Sequence, residues 1–199
     1  MQINPSRYVF TVNCFMTNKS LTLREAFDAC QDIELRFAKI YARLSLLLGG
    51  VDDRVARFWE TMSTQEWQHY VLIEFGRGLC STAFDLDMLI HDLPASGSIS
   101  QIKDDLTKHE QRVAEMNVNL SDGFKITIEI EQSEADQLFM YLAKMTEKAI
   151  YQNNQTFLLN RLNRIQKEMQ HHHRTVIEAA KRLSNDPEII RSAVSLSHH

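Results

Sequence analysis

The sequence has few residues that interrupt helices. Among its 199 residues are only six glycines and three prolines, and long segments contain neither. Such segments favour helices, so we expect an all-α protein with about five or six helices in one domain. The chain also has no uninterrupted apolar run of the length that spans a bilayer.

The sequence also lacks closely spaced cysteine pairs and an excess of basic residues. Cys14, Cys30 and Cys80 are isolated, which argues against a disulfide framework and against a zinc or rubredoxin-type cysteine site. They suit a reducing cytoplasm, the location that we expect. The 22 basic and 26 acidic residues give no basic surface for nucleic acid. We find no signal-peptide pattern, and we expect neither nucleic acid nor a membrane as a partner.

The first helix pair has clear boundary signals. Thr22 and Glu25 have the spacing of a capping box, which predicts that the first helix begins there. A double glycine at 49–50 predicts its end. Asp52 and Asp53 then predict the start of a second helix, which we expect to run to the glycines at 76 and 78. Residues 1–21 are interpreted as an irregular arm on a bundle of residues 22–184.

The second half of the chain is less regular. We expect a crossover insertion at about 79–123, with one helical turn at 85–91 and a short helix at 102–116. Residues 124–130 alternate like a strand but have no obvious partner, so a helix start or an extended lead-in is favoured. The third and fourth helices are expected from Ser133 to a turn at 152–154, and over 158–183. Residues 185–199 are interpreted as a loosely held tail.

Two Glu-x-x-His pairs interrupt the apolar stripes of the second and fourth helices. Glu66 and His69 form the first pair, and Glu168 and His171 form the second. Residues three apart lie on the same face of a helix, so each pair can act together. The second pair belongs to a run of three histidines, in which either His171 or His172 fits the inner face.

The other two helices offer further carboxylates. Glu34 lies beside the apolar stripe of the first helix. Glu34 and Glu66 are each roughly 22 Å along their helices from the double glycine, so in an antiparallel pair they should lie side by side. In the third helix Glu134 fits the apolar face best. Glu131 lies one turn earlier on that face and could be an additional ligand. Asp136 is the position onto which Glu34 falls when it is shifted along the chain by the spacing between the two Glu-x-x-His pairs.

The joint pattern resembles the ferritin-like di-iron proteins, and among them the rubrerythrin-like group, over roughly residues 22–183. The resemblance implies a ferritin-like four-helix bundle with one long crossover. It also implies that the bridging carboxylates are Glu66 and Glu168 and that the imidazole ligands are His69 and His171. The terminal carboxylates would be Glu34 and Glu134. Two departures are the long insertion and the absence of cysteine pairs for a rubredoxin-like centre.

The resemblance implies a protein that binds two iron ions, with manganese or zinc as other candidates. We expect reduction of hydrogen peroxide or dioxygen with electrons from an external donor, in the manner of a rubrerythrin-like peroxidase or ferroxidase, and a homodimer. The metal ligands would be the catalytic residues. Two alternatives are a non-catalytic iron-handling protein and a metal-free helical interaction module.

Overall fold

Helices make up most of the described chain, which comprises residues 20–90, 96–133, 135–169 and 171–198 of a computed structural model. The prediction of an all-α protein is confirmed. Most of the expected N-terminal arm lies outside the described residues. Within them, no helix combines the length and the apolar character needed to cross a membrane.

Eight α-helices follow one another in the described ranges. They are α1 Leu23–Leu48, α2 Asp53–Ala83, α3 Ser96–Ala114, α4 Leu120–Glu131, α5 Ala135–Gln152, α6 Leu159–Met169, α7 His172–Leu183 and α8 Pro187–Ser195. Two short strands, β1 Leu21–Thr22 and β2 Leu89–Ile90, pair antiparallel with Leu21 opposite Ile90. Short 3-10 turns occupy Thr156–Leu158 and Leu196–His198.

The first two helices form the antiparallel pair that the sequence predicts. The Thr22 hydroxyl accepts from the Glu25 amide at 3.1 Å, and the Glu25 carboxylate accepts from the Thr22 amide at 2.8 Å. Asp52 caps α2 by accepting from the Arg54 amide at 2.7 Å. These caps satisfy amides that helix ends leave free, so both helices start where the capping signals place them.

The prediction that the second helix ends at Gly76 and Gly78 is wrong, because α2 continues to Ala83. Gly76 is buried where α2 packs on α5, and an added methyl group there would collide with the Thr146 side chain. Gly78 is exposed and has open space around it. The first glycine therefore permits close helix packing instead of ending the helix.

The insertion crosses back along the helix pair and packs on α1. Its expected helical turn at 85–91 is instead a hydrogen-bonded turn followed by β2. The expected short helix is present as α3, which begins earlier than predicted. Arg36 of α1 ties α3 to the pair through Glu110 at 2.8 Å and the Lys103 carbonyl at 3.2 Å.

In the second half the predicted third helix is confirmed as α5, which begins at Ala135 and ends at the expected turn. Residues 124–130 lie in a separate helix, α4, which ends at Glu131 before an interruption that the sequence did not predict. The expected fourth helix is divided into α6 and α7. The prediction of a loosely held tail is wrong, because Asp186 caps α8 and Ile189 and Ala193 are buried against the rest of the domain.

The two glycines of α2 make a matched test of this packing. Gly78→Ala should stabilise the protein by about 1 kcal/mol, since alanine favours helix and the site is open. Gly76→Ala should lose about 1 kcal/mol net, since overpacking costs about 1–3 kcal/mol. Urea unfolding of both variants measures the difference, and Thr146→Ala in the Gly76→Ala background should restore stability. Equal stabilisation by the two alanines would contradict the packing.

Candidate metal centre

Five buried polar residues from four helices meet in the core. Each is at most 6% exposed, although carboxylates and imidazoles normally face water. The five are Glu34 of α1, Glu66 and His69 of α2, Glu131 at the end of α4, and His172 at the start of α7.

His69 is the centre of the half built by α1 and α2. Its Nδ1 lies 2.9 Å from Glu66 Oε2 and 3.4 Å from Glu34 Oε2. Glu34 and Glu66 therefore do lie side by side, as their equal distances from the turn between the helices require. The Cys30 thiol donates a hydrogen bond to the other Glu34 oxygen at 3.9 Å.

The second half of the cluster is completed by helix ends. His172 Nδ1 lies 3.5 Å from Glu66 Oε1 and 3.9 Å from Glu131 Oε2. The Tyr41 hydroxyl donates to Glu131 Oε1 at 2.7 Å. Glu66 thus contacts a histidine with each of its two oxygens and joins the halves.

An apolar shell encloses these groups. The His69 ring packs against Phe139 at 4.9 Å and against the His172 ring at 5.1 Å between centroids. Burying a charged group in such surroundings costs several kcal/mol unless a partner compensates it. The cluster contains three fully buried carboxylates, so its charge balance decides its chemistry.

Burial and mutual contact shift the pKa values of the pair at the centre. Burial alone would lower the pKa of His69, but the charge and hydrogen bonds of Glu66 and Glu34 outweigh it and raise that pKa to about 10. Burial raises the pKa of Glu66, although the two histidines oppose the shift. Burial lowers the pKa of His172. In the absence of a cation the His69 ring is therefore protonated on both nitrogens and positively charged at neutral pH, whereas the His172 ring is neutral.

Three further groups, the Glu131 carboxyl, the Tyr41 phenol and the Cys30 thiol, are held in their neutral forms. Burial, and then the charge of Glu66, raise the pKa of Glu131 well above its ordinary value. Burial and the charge of Glu131 do the same for the pKa of Tyr41, which therefore stays a phenol. Burial and Glu34 raise the pKa of the Cys30 thiol, so it acts as a donor.

Asp136 lies at the edge of the cluster. Burial and the charge of Glu66 raise its pKa to about 6, yet its side chain is 38% exposed. Its Oδ2 lies 4.0 Å from His173 Nε2. That nitrogen also lies 2.9 Å from the Glu131 carbonyl oxygen, which ties the start of α7 to the end of α4.

Unpartnered atoms indicate that the cluster can bind a cation. Nε2 of His69 and Nε2 of His172 are buried without a hydrogen-bond partner, which is uncommon for buried polar atoms, and Oε2 of Glu34 has only its 3.4 Å contact with His69. Glu66, His69 and His172 each offer a ligand atom, and these atoms lie within 4.8 Å of one another. Imidazole and carboxylate ligands suit iron, manganese or zinc. The buried group of Glu66, His69 and His172 could therefore hold a metal ion.

The structure does not bring the second predicted pair to the cluster. His171 is exposed, and its Nδ1 lies 2.6 Å from the Lys167 carbonyl oxygen. Glu168 binds Arg164 at 2.9 Å, at the surface. The buried face of this region runs through Ile165, His172 and Val176 at helical spacing, so His172 turns inward and the neighbouring His171 does not.

Of the three candidate carboxylates near the start of the third helix, Glu131 is the one that lies in the cluster. Glu134 lies outside the described residues, and Asp136 lies at the edge. Tyr41 was missed, because an aromatic residue on an apolar stripe reads as ordinary core. Its hydrogen bond to Glu131 has no signal in the sequence.

Comparison of the chain with models of protein families, with curated proteins and with solved structures gives no match in any of the three. The assignment of this site therefore rests on its geometry and donor atoms.

Metal binding at this cluster should release protons. At pH 7 the Glu66–His69 pair and Glu131 hold protons that a cation must displace, because their pKa values are raised. We expect release of about one to two protons per chain, and tighter binding as the pH rises. Calorimetric titration with ferrous or zinc ions, in buffers of different ionisation enthalpy, measures the number. Binding without proton release, at an affinity independent of pH, would contradict these protonation states.

Proposed function

We propose that this chain binds two metal ions, most suitably iron, in the buried cluster. The observation that carries the proposal is the convergence of three buried carboxylates and two buried histidines that retain unpartnered ligand atoms. A core stabilised only by packing would have no need for such groups, each of which is costly to bury.

The charge of the cluster supports two cations. Without metal, Glu34, Glu66 and Glu131 share the core with one protonated imidazole, a phenol and a thiol, so protons must offset part of their charge. Two divalent ions would replace those protons and pair with all three carboxylates. Glu66 faces both histidines, so it is suited to bridge the ions.

The ligand assignment follows from position. His69 with Glu34 would serve one ion, and His172 with Glu131 the other, while Asp136 could complete the coordination at the edge. Tyr41 would orient Glu131 through its hydrogen bond, and Cys30 would orient Glu34. Bound there as two ferrous ions, iron would supply the two electrons that reduction of hydrogen peroxide to water requires.

We further propose a ferritin-like, rubrerythrin-like arrangement with external electrons, peroxide or dioxygen as the oxidant, and a cytoplasmic homodimer. The support is the antiparallel α1–α2 pair, which carries Glu34 and the Glu66–His69 pair at the spacing of that group. The second half departs from it, since helix ends supply Glu131 and His172.

The three consecutive histidines provide a matched test of metal binding. His172→Asn should lose at least half of the bound metal, because the buried ligand is removed, whereas exposed His171→Asn should retain it. Metal analysis after anaerobic loading with ferrous iron and desalting measures both. The circular dichroism spectrum of each variant checks that it folds. Equal retention by the two variants would overturn the assignment of His172.

A second experiment tests turnover. The iron-loaded protein with a chemical reductant should consume many equivalents of peroxide per chain, and Glu66→Ala should abolish that consumption together with iron retention. Consumption that stops after a single equivalent would indicate an iron-handling protein. A melting temperature that ignores both iron and chelators would support the metal-free helical module instead.

A further inference from the structure

A second cavity lies between α1, α3 and the end of α4, and its lining includes none of the five cluster residues. Its volume is about 520 Å³, within the range of small-molecule sites. One wall is apolar and buried, and it can accept a hydrocarbon body. This wall consists of Phe37, Ile102, Leu106 and Ile130.

The lining also presents two buried polar atoms that lack hydrogen-bond partners. His109 is only 7% exposed, and its Nδ1 makes no hydrogen bond. The Ser133 hydroxyl is also buried and unpartnered. Buried polar atoms are almost always paired, so two orphans lining one cavity point to a ligand that pairs with them.

The surroundings of His109 fix what that ligand must offer. Burial lowers the pKa of His109, so its ring is neutral at pH 7. Its Nε2 lies 3.6 Å from Glu129 Oε2, and the carboxylate favours the tautomer with the proton on Nε2. Nδ1 then presents a lone pair, which requires a hydrogen-bond donor from the ligand.

The charges around the cavity favour a cation. No lysine or arginine is among its lining residues, whereas Asp105 and Glu129 are. Asp105 is already bonded to Lys108 at 2.6 Å and to Gln101 at 2.8 Å. Glu129 is half-exposed and has no lysine or arginine partner within the described ranges. Its charge is therefore available to a ligand.

We propose that this cavity binds a small organic amine. The apolar body lies against the wall of Phe37 and Leu106, and the ammonium group donates a hydrogen bond to His109 Nδ1. Glu129 lies beyond the other ring nitrogen, so it holds the proton on Nε2 and adds its negative charge at longer range. This site is independent of the metal cluster and of the function proposed for it.

Three probes with one hydrocarbon body and different head groups test the proposal. Phenylbutylamine should bind about fivefold more tightly than phenylbutanol, and phenylbutyrate should bind weakest. Fivefold is the most that a partly exposed charge pair usually contributes to affinity. Glu129→Gln should remove the preference of the amine over the alcohol. Glu115→Gln, at an exposed acid just after the end of α3 and outside the cavity, should leave it unchanged. Calorimetry measures each affinity.

The position of the bound amine is checked by the imidazole nitrogen resonances of His109, whose Nδ1 shift should move on binding. A separate apolar groove along α2, lined by Trp67, Val71 and Phe75, could also take the hydrocarbon body. Changes confined to the Trp67 indole resonance would overturn the proposal. So would equal affinity for the amine and the carboxylate, or no binding of any probe at millimolar concentration.

Discussion

The burial of Glu34, Glu66 and Glu131 in one core is the constraint on which the structure depends. Each carboxylate needs a compensating partner, because an unpaired charge in a low-dielectric interior costs several kcal/mol. The chain supplies His69, His172, a phenol and a thiol, of which only His69 carries positive charge. The remaining charge must be offset by protons or by cations, and the unpartnered ligand atoms favour cations.

The two halves of the cluster are built differently. Continuous helices hold Glu34, Glu66 and His69. The Ser63 hydroxyl of α2 links the two helices by donating a hydrogen bond to the Ala38 backbone carbonyl of α1 at 2.8 Å. Helix ends hold the other half, with Glu131 last in α4 and His172 first in α7. The contact of His173 with the Glu131 carbonyl oxygen fixes these ends against each other, so the position of one ligand depends on the other.

The first helix pair and its polar residues could be predicted, because a capping box, a double glycine and an i, i+3 spacing are local signals. In the second half the third helix could be predicted, since α5 runs from Ala135 to Gln152, close to the expected bounds. The interruptions could not, because no glycine or proline at 132–133 or 170–171 marks them. Periodicity did allow His172, which lies seven residues after buried Ile165, but the repeated Glu-x-x-His spacing led to the assignment of His171 instead.

The strand-like alternation of residues 124–130 has a related explanation. Ile126, Thr127, Ile128 and Ile130 are all buried, so α4 is enclosed on most of its surface and shows no clear helical stripe. Its capping box, formed by Asn119 and Asp122, was the signal that could have identified it as a helix.

Anomalous diffraction from crystals loaded with iron or manganese is the decisive measurement, because it locates the metal. Two metal ions in the buried cluster should give two adjacent anomalous peaks within about 2.0–2.2 Å of ligand atoms from Glu66, His69 and His172. Peaks at Glu168 and His171 on the surface, or none in the buried cluster, would contradict this assignment.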